Sequence, residues 1–376
     1  MTRWMVLAAT VALGGCRTLL GIEDGVVGNA KADAAPDMAI DDADIDAPID
    51  AAMPWWDPSF PSRRSITIAT ADLTLPLANL PLLVRLPADV ASELRAGAAD
   101  ARFIADDHQT VLPYELETAG TDLRFWVKLS VTAQDQRIWL YFGNMNASSP
   151  SNGAAVFGAD YTSVHHLSSE VDSSGNGHNV NAPGTSAPIA TDTIIGRGFD
   201  FDGLNDYLAL DASDGPYDFT TTMSVSVWFK TSAFTEDYQA LVTKGDTSWR
   251  VQRDFDTNRV TFATGALGST DNVVGTSNVA NNEWHHLLVT RDNGAKSLYL
   301  DGVLENTRAN PPALPANGSF VRIGANEMIA GRTWNGVIDE VRISSAPRTA
   351  AWAAAEYAMV TKPTLVTIGA RETLPP

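Results

Sequence analysis

Residues 172–177 read Asp-Ser-Ser-Gly-Asn-Gly. Asp172, Ser174 and Asn176 put side-chain oxygens at alternate positions and Gly177 permits a sharp turn, as in the first half of a loop whose hard oxygens curl round a calcium ion. An EF-hand would carry a bidentate acid at the twelfth position, where this chain has Pro183, so the loop is not of that kind. The competing reading is an Asx turn joining two strands, in which the same oxygens bond their own backbone.

Other residue types with chemical potential are scattered. His165-His166 and His285-His286 lie in predicted strands, where successive side chains point to opposite faces, so neither pair chelates one ion by itself. Packed or capped histidines are expected instead. Asp106 and Asp107 are neighbours of the same kind and fit a turn. Neither His-Glu-x-x-His, Gly-x-Ser-x-Gly nor a phosphate loop occurs, and each would be needed for a recognised chemistry. Gly196-Arg197-Gly198 leads into a predicted strand, not a helix, and is no dinucleotide fingerprint. For stacking on a sugar ring the candidates are Tyr217, Trp249 and Trp334, with core packing as the alternative.

The elements that must position these groups are almost all strands. Trp284 to Thr290 and Lys296 to Leu300 flank Asn293-Gly294, a tight antiparallel hairpin, since Asn and Gly tolerate the positive φ such turns need. The first run is apolar at nearly every residue, as in a central strand covered on both faces. Met223, Val225, Val227 and Phe229 alternate with Ser224, Ser226 and Lys230, a period of two. Short strands with turn signals recur from 54 to 158 and again from 159 to 370. Helix is confined to Asp89 to Arg95 and Thr349 to Tyr357. At 376 residues the chain has room for two such domains and a tail. The class is all-β: a smaller β-sandwich-like module followed by a jelly-roll sandwich. Trp126 and Trp139 sit inside strand runs and are expected in the core.

The net charge of −19 repels phosphate backbones and no Lys/Arg cluster reverses it locally, which argues against a nucleic-acid partner. Arg3, the apolar run Trp4 to Leu13 and the small residues Gly14-Gly15 before the single cysteine, Cys16, have the layout of a targeting segment over residues 1–15, and the run is too short to span a bilayer. From 16 to 53 the chain becomes an Ala/Asp/Pro tether, with Asp33, Asp37, Asp41, Asp42, Asp44, Asp46 and Asp50. One sign of charge and low hydrophobicity cannot offset the entropy of ordering. A flexible chain of about 35 residues reaches roughly 30 to 35 Å.

The Leu13-Gly14-Gly15-Cys16 run resembles the lipobox of bacterial lipoproteins, which implies cleavage before Cys16, its lipidation and attachment to a membrane through that lipid alone. Arg17, rather than Asp, after the cysteine implies by the same resemblance the outer membrane and display at the cell surface. In the first module Trp56, Arg64, Asp100 to Phe103, Leu112 to Glu115, Trp126 to Lys128 and Tyr141-Phe142-Gly143-Asn144 resemble a domain family of unknown function from microbial surface proteins. That family ends in Tyr-Tyr-Gly-Asn, and Phe142 departs from it.

In the second module Asp172 to Gly177, Phe199 to Gly203, Val225 to Lys230, Trp284 to His286, Leu298 to Gly302 and Asn335 to Ile343 resemble the laminin G-like, concanavalin A-like jelly rolls. The resemblance implies the fold and leaves the ligand open. It also places Asp339 and Glu340 on a strand near the Asp172 loop, where either would supply the missing calcium ligand of a structural site. Glycosidases of this fold carry Glu-x-Asp-x-x-Glu; Glu170-Val171-Asp172 begins such a pattern, but Gly175 stands where it should end. The expectation is a lipid-anchored binding or adhesion protein for a glycan or a protein, not an enzyme. A polysaccharide hydrolase or lyase is the alternative, and it would need two carboxylates about 5 to 10 Å apart in a cleft.

Overall fold

Strand-forming sequence with alternating side chains dictates sheets here, and a computed structural model of the protein shows their arrangement. It describes residues 54–375 apart from 72, 120–121, 133–134, 211–214 and 266–270. Cys16 and the tether lie outside the described residues.

The first module is two facing sheets. One runs, in spatial order, Val366–Thr373, Ser62–Ile68, Gln136–Phe142, Arg102–Ala105, Val111–Leu112; the other Leu77–Leu86, Asp122–Val131, Tyr114–Ala119. Its outermost strand, Val366–Thr373, comes from the far end of the chain and pairs antiparallel with Ser62–Ile68. The second unit, expected to run to 370, therefore ends earlier. Its last strand completes the first module, because Ser62–Ile68 would otherwise present an unpaired edge.

The second module is a sandwich. A central sheet contains Gly196–Asp202, Asn335–Ser344, Met223–Lys230, Trp284–Arg291 and Ala295–Leu300 as neighbours, and an outer sheet contains Val260–Thr264, Trp249–Arg253, Ala240–Lys244 and Val321–Ile323. The hairpin forms, with Arg291 opposite Lys296, but neither Asn293 nor Gly294 takes the positive φ expected of it. Asp292 closes the turn by accepting from the Gly294 and Ala295 N–H groups.

The central sheet is covered on both faces. Val225, Val227, Phe229, Leu287 and Val289 point into the sandwich core. Their sequence neighbours Trp228 and Leu288 join a second core with Phe125, Trp126, Phe157 and Trp352. The pleat explains the division, since alternate residues face opposite sides. The unbroken burial of His285 to Arg291 along this strand is thus the record of two cores sharing it. The helix Ala350–Thr361 is capped by Thr349, whose side chain accepts from the Trp352 N–H, and lays Trp352, Ala353, Ala355 and Met359 on that second core. Residues from Pro54 onward accordingly pack as one unit.

Candidate functional site

Where the two modules meet, polar groups gather inside the shared core. Glu115 and Glu117 are two apart on the strand Tyr114–Ala119, so both leave the same face. That face looks toward His166, just past the strand Tyr161–His165. Glu340 arrives from Asn335–Ser344 through a bulge: Ser226 pairs with Arg342 but Trp228 with Asp339, which leaves an extra residue in that strand, and Glu340 has a φ of 49°. A bulge re-aims side chains. Ile338 and Val341 stay in the sandwich core, while Asp339 meets the Ile195 N–H and Glu340 meets His166.

Three carboxylates converge on one imidazole. His166 Nδ1 lies 2.7 Å from Glu340 Oε1 and 3.8 Å from Glu117 Oε2, and Nε2 lies 3.2 Å from Glu115 Oε2. Each acid is tethered again: Ser173 Oγ donates to Glu115 at 2.6 Å, Trp126 Nε1 to Glu117 at 3.0 Å, and Arg342 Nη2 to Glu340 at 2.9 Å. Both ring nitrogens point at carboxylates, so the ring carries both protons and donates from each. Burial alone would lower the His166 pKa, but Glu340 and Glu117 hold it well above the usual histidine value. Burial pushes Glu117 up to about 7. Burial would raise Glu340 as well, but His166 and Arg342 keep it below the ordinary glutamate value. Asp339 is raised well above its ordinary value by burial and by the neighbouring Glu340 charge.

The network continues inward. Arg342 Nη1 is 3.3 Å from Glu356 Oε1 on the helix, and Glu356 Oε2 accepts from Ser226 at 2.8 Å. A cavity of about 10 Å³ with Ser226, His286, Glu340, Arg342 and Glu356 on its wall has room for one water. On the solvent side the cluster floors a cleft of about 430 Å³ with Glu115, Glu117 and His166 below and Ser168, Ser169 and Ser173 at the rim. Gly153 lets the walls close in, since a Cβ there would stand 2.4 Å from the Ser173 carbonyl and 2.9 Å from the Glu115 carboxylate.

The residues singled out in sequence fare differently. The Asp172 loop does not fit calcium. Asp172 Oδ1 accepts from the Val164 and Ser174 N–H groups, and Oδ2 from the Ser174 hydroxyl and the His178 N–H. Asn176 spends its amide donating to the Tyr161 and Thr162 carbonyls. Those bonds make an Asx turn, and a cation would have to displace them. Asp339 and Glu340 are engaged instead with Ile195, His166 and Arg342. Tyr217, Trp249 and Trp334 are 1 %, 0 % and 0 % exposed, which corrects the expectation of sugar-stacking platforms. Trp249 donates its indole N–H to the Tyr217 carbonyl, and Trp334 packs edge-on against Phe229, because rings of that area are worth most inside a core. The histidine pairs diverge. His285 is held by Asp301 and Asn281, and His286 faces Ser226 and Glu356.

Sequence reasoning missed Glu115, Glu117, Arg342 and Glu356. The available signal was Glu-Leu-Glu at 115–117, two acids on one face of a strand.

Comparison with known proteins agrees with this architecture. Residues 202–354 match the concanavalin A-like lectin/glucanases superfamily, and residues 98–170 match a domain of unknown function (DUF2341). No curated protein matches the chain. Among solved structures, domain 4 of AbnA, a GH43 extracellular arabinanase from Geobacillus stearothermophilus, in complex with arabinotriose, is similar at 22 % identity and a TM-score of 0.43, over 52 % of this chain and 97 % of that one. The binding domain of Paraclostridial mosquitocidal protein 1 is similar at 13 % identity and 0.44, over 53 % and 52 %. The botulinum neurotoxin serotype D ligand-binding domain in complex with N-acetylneuraminic acid is similar at 16 % and 0.41, over 53 % and 50 %. The chain spans about half the length of these two toxin domains. The protein is nearly all-β, with a C-terminal concanavalin A-like domain preceded by a β-rich module.

Proposed function

We propose that this chain is a non-catalytic binding protein, held at the bacterial outer membrane by a lipid on Cys16 and displayed on its acidic tether, with a glycan as its ligand. The observation that carries the reading is the cleft between the modules, whose floor and rim are carboxylates, an imidazole and three serine hydroxyls. Such a surface exchanges hydrogen bonds with a polyhydroxylated ligand, while Leu116 and Val171 supply an apolar part of the lining. A hydrolase is disfavoured by the same geometry. Glu115, Glu117 and Glu340 close on a single imidazole and leave no space between them for a sugar ring, whereas glycosidic cleavage needs two carboxyls flanking the bond.

The test is a glycan array and an envelope pull-down with the full chain, each repeated with Ser169→Trp. Ser169 is an exposed rim residue, and the indole would fill the opening. Binding to particular glycans that Ser169→Trp weakens at least tenfold supports the reading. Retention of an envelope protein alone would redirect it to a protein ligand. Blank results in both would remove it, as would binding that the substitution leaves intact.

A further inference from the structure

We propose that Glu117, His166 and Glu340 form a site for one divalent transition-metal ion of the zinc type, with ligands drawn from both modules. Among the described residues these three are the group whose ligand atoms lie within 4.8 Å of one another. A zinc ion with bonds of about 2.0 to 2.2 Å separates its ligand atoms by roughly 3.3 Å. The distances from His166 Nδ1, 2.7 Å to Glu340 and 3.8 Å to Glu117, fall on either side of that figure. The two carboxylates stand within 4.8 Å of one another, so they would close by up to about 1.5 Å to seat the ion.

Each ligand is already oriented as a metal ligand must be. His166 turns Nδ1 toward the two acids while Nε2 faces Glu115, itself held by Ser173. That is the carboxylate–histidine–metal relay that fixes a ring's tautomer and direction. Trp126 holds Glu117 Oε2, and Arg342 holds the Glu340 oxygen that faces away from the ring. Independently of the acids' proximity, Glu117 is 5 % exposed and its Oε1 has no hydrogen-bond partner, a buried acceptor that an ion in the site would satisfy. Imidazole with carboxylates suits zinc and its neighbours, whereas calcium and magnesium prefer all-oxygen shells. The cleft above Glu117 and His166 leaves room for a further ligand to complete the shell.

The experiment strips the full chain with a chelator, adds zinc chloride, removes excess by gel filtration and counts metal per chain. No glycan is present, so the outcome is independent of what the cleft binds. We expect one equivalent, bound at least tenfold more weakly by Glu117→Gln, which keeps an acceptor for Trp126, and by His166→Gln. Calcium chloride in excess should not displace it. Should His166→Gln fail to fold, cobalt chloride on the unaltered chain and on Glu117→Gln replaces it: a visible absorption band of a low-coordinate ion should saturate at one equivalent in the first and be lost in the second. Zinc that is not retained, or that is retained equally by Glu117→Gln, overturns the site, as does cobalt absorption unaffected by that substitution.

Discussion

Arg342 lays its guanidinium 4.2 Å from the centre of the Trp126 ring. One residue belongs to the central sheet of the sandwich and the other to the preceding module, and the imidazole of His166 also stacks on Trp126 at 5.5 Å. The modules are therefore joined through a buried cation, an aromatic ring and a set of carboxylates, inside an apolar core that both share.

Trp126→Ala should lower stability by about 3 to 5 kcal/mol, the usual cost of emptying an aromatic site. Because Trp126 lies in the core common to both modules, one cooperative transition is expected before and after the change. Calorimetry checks this, and two separated transitions in the unaltered chain would contradict a common core.

The helix residue Glu356 supports a pH prediction. Burial would raise its pKa, but hydrogen bonds from His286 and Ser226 and the charge of Arg342 hold it at about 2, against an ordinary 4.5. The unfolded chain then binds more protons between those values, so this contribution is fully present above about pH 4.5 and is lost as pH falls toward 2. It amounts to about 3 kcal/mol at most. Denaturant titrations across that range should show stability rising with pH, with a flatter slope in Glu356→Gln.

Calcium should leave the melting midpoint unchanged, since the Asp172 oxygens are occupied by four donors from the loop and the adjoining strand. Asp172→Ala, by contrast, should cost about 2 to 4 kcal/mol by orphaning buried N–H groups. Thermal scans with calcium and with chelator distinguish the two effects.

Removing residues 366–376 should expose the edge of Ser62–Ile68, which now pairs with Val366–Thr373. A lower midpoint and self-association on heating are expected, and light scattering during a thermal ramp measures both. Gly369→Val should act in the same direction, because a Cβ there would stand 2.2 Å from Ser65 Oγ.

Much of the architecture follows from local rules and was legible in the residues. Asp292-Asn293-Gly294 specifies a tight turn, and the alternation of Met223–Lys230 specifies a strand with two unlike faces, because turn dihedrals and the pleat are properties of a few adjacent residues. The two modules and their strand-rich character follow in the same way. What adjacent residues could not determine is which face meets which. Trp249 and Trp334 read as core or, less readily, as platforms, and the sheets close over both. The end of the chain was expected to finish the second module, yet its strand pairs with the beginning of the first. The Glu115/Glu117 pair, His166 and Glu340 are far apart in sequence and meet only because a bulge turns one of them and a shared core brings the modules together. Long-range packing, driven by burial of area and by the pairing of buried charge, selects among faces that local sequence leaves equivalent.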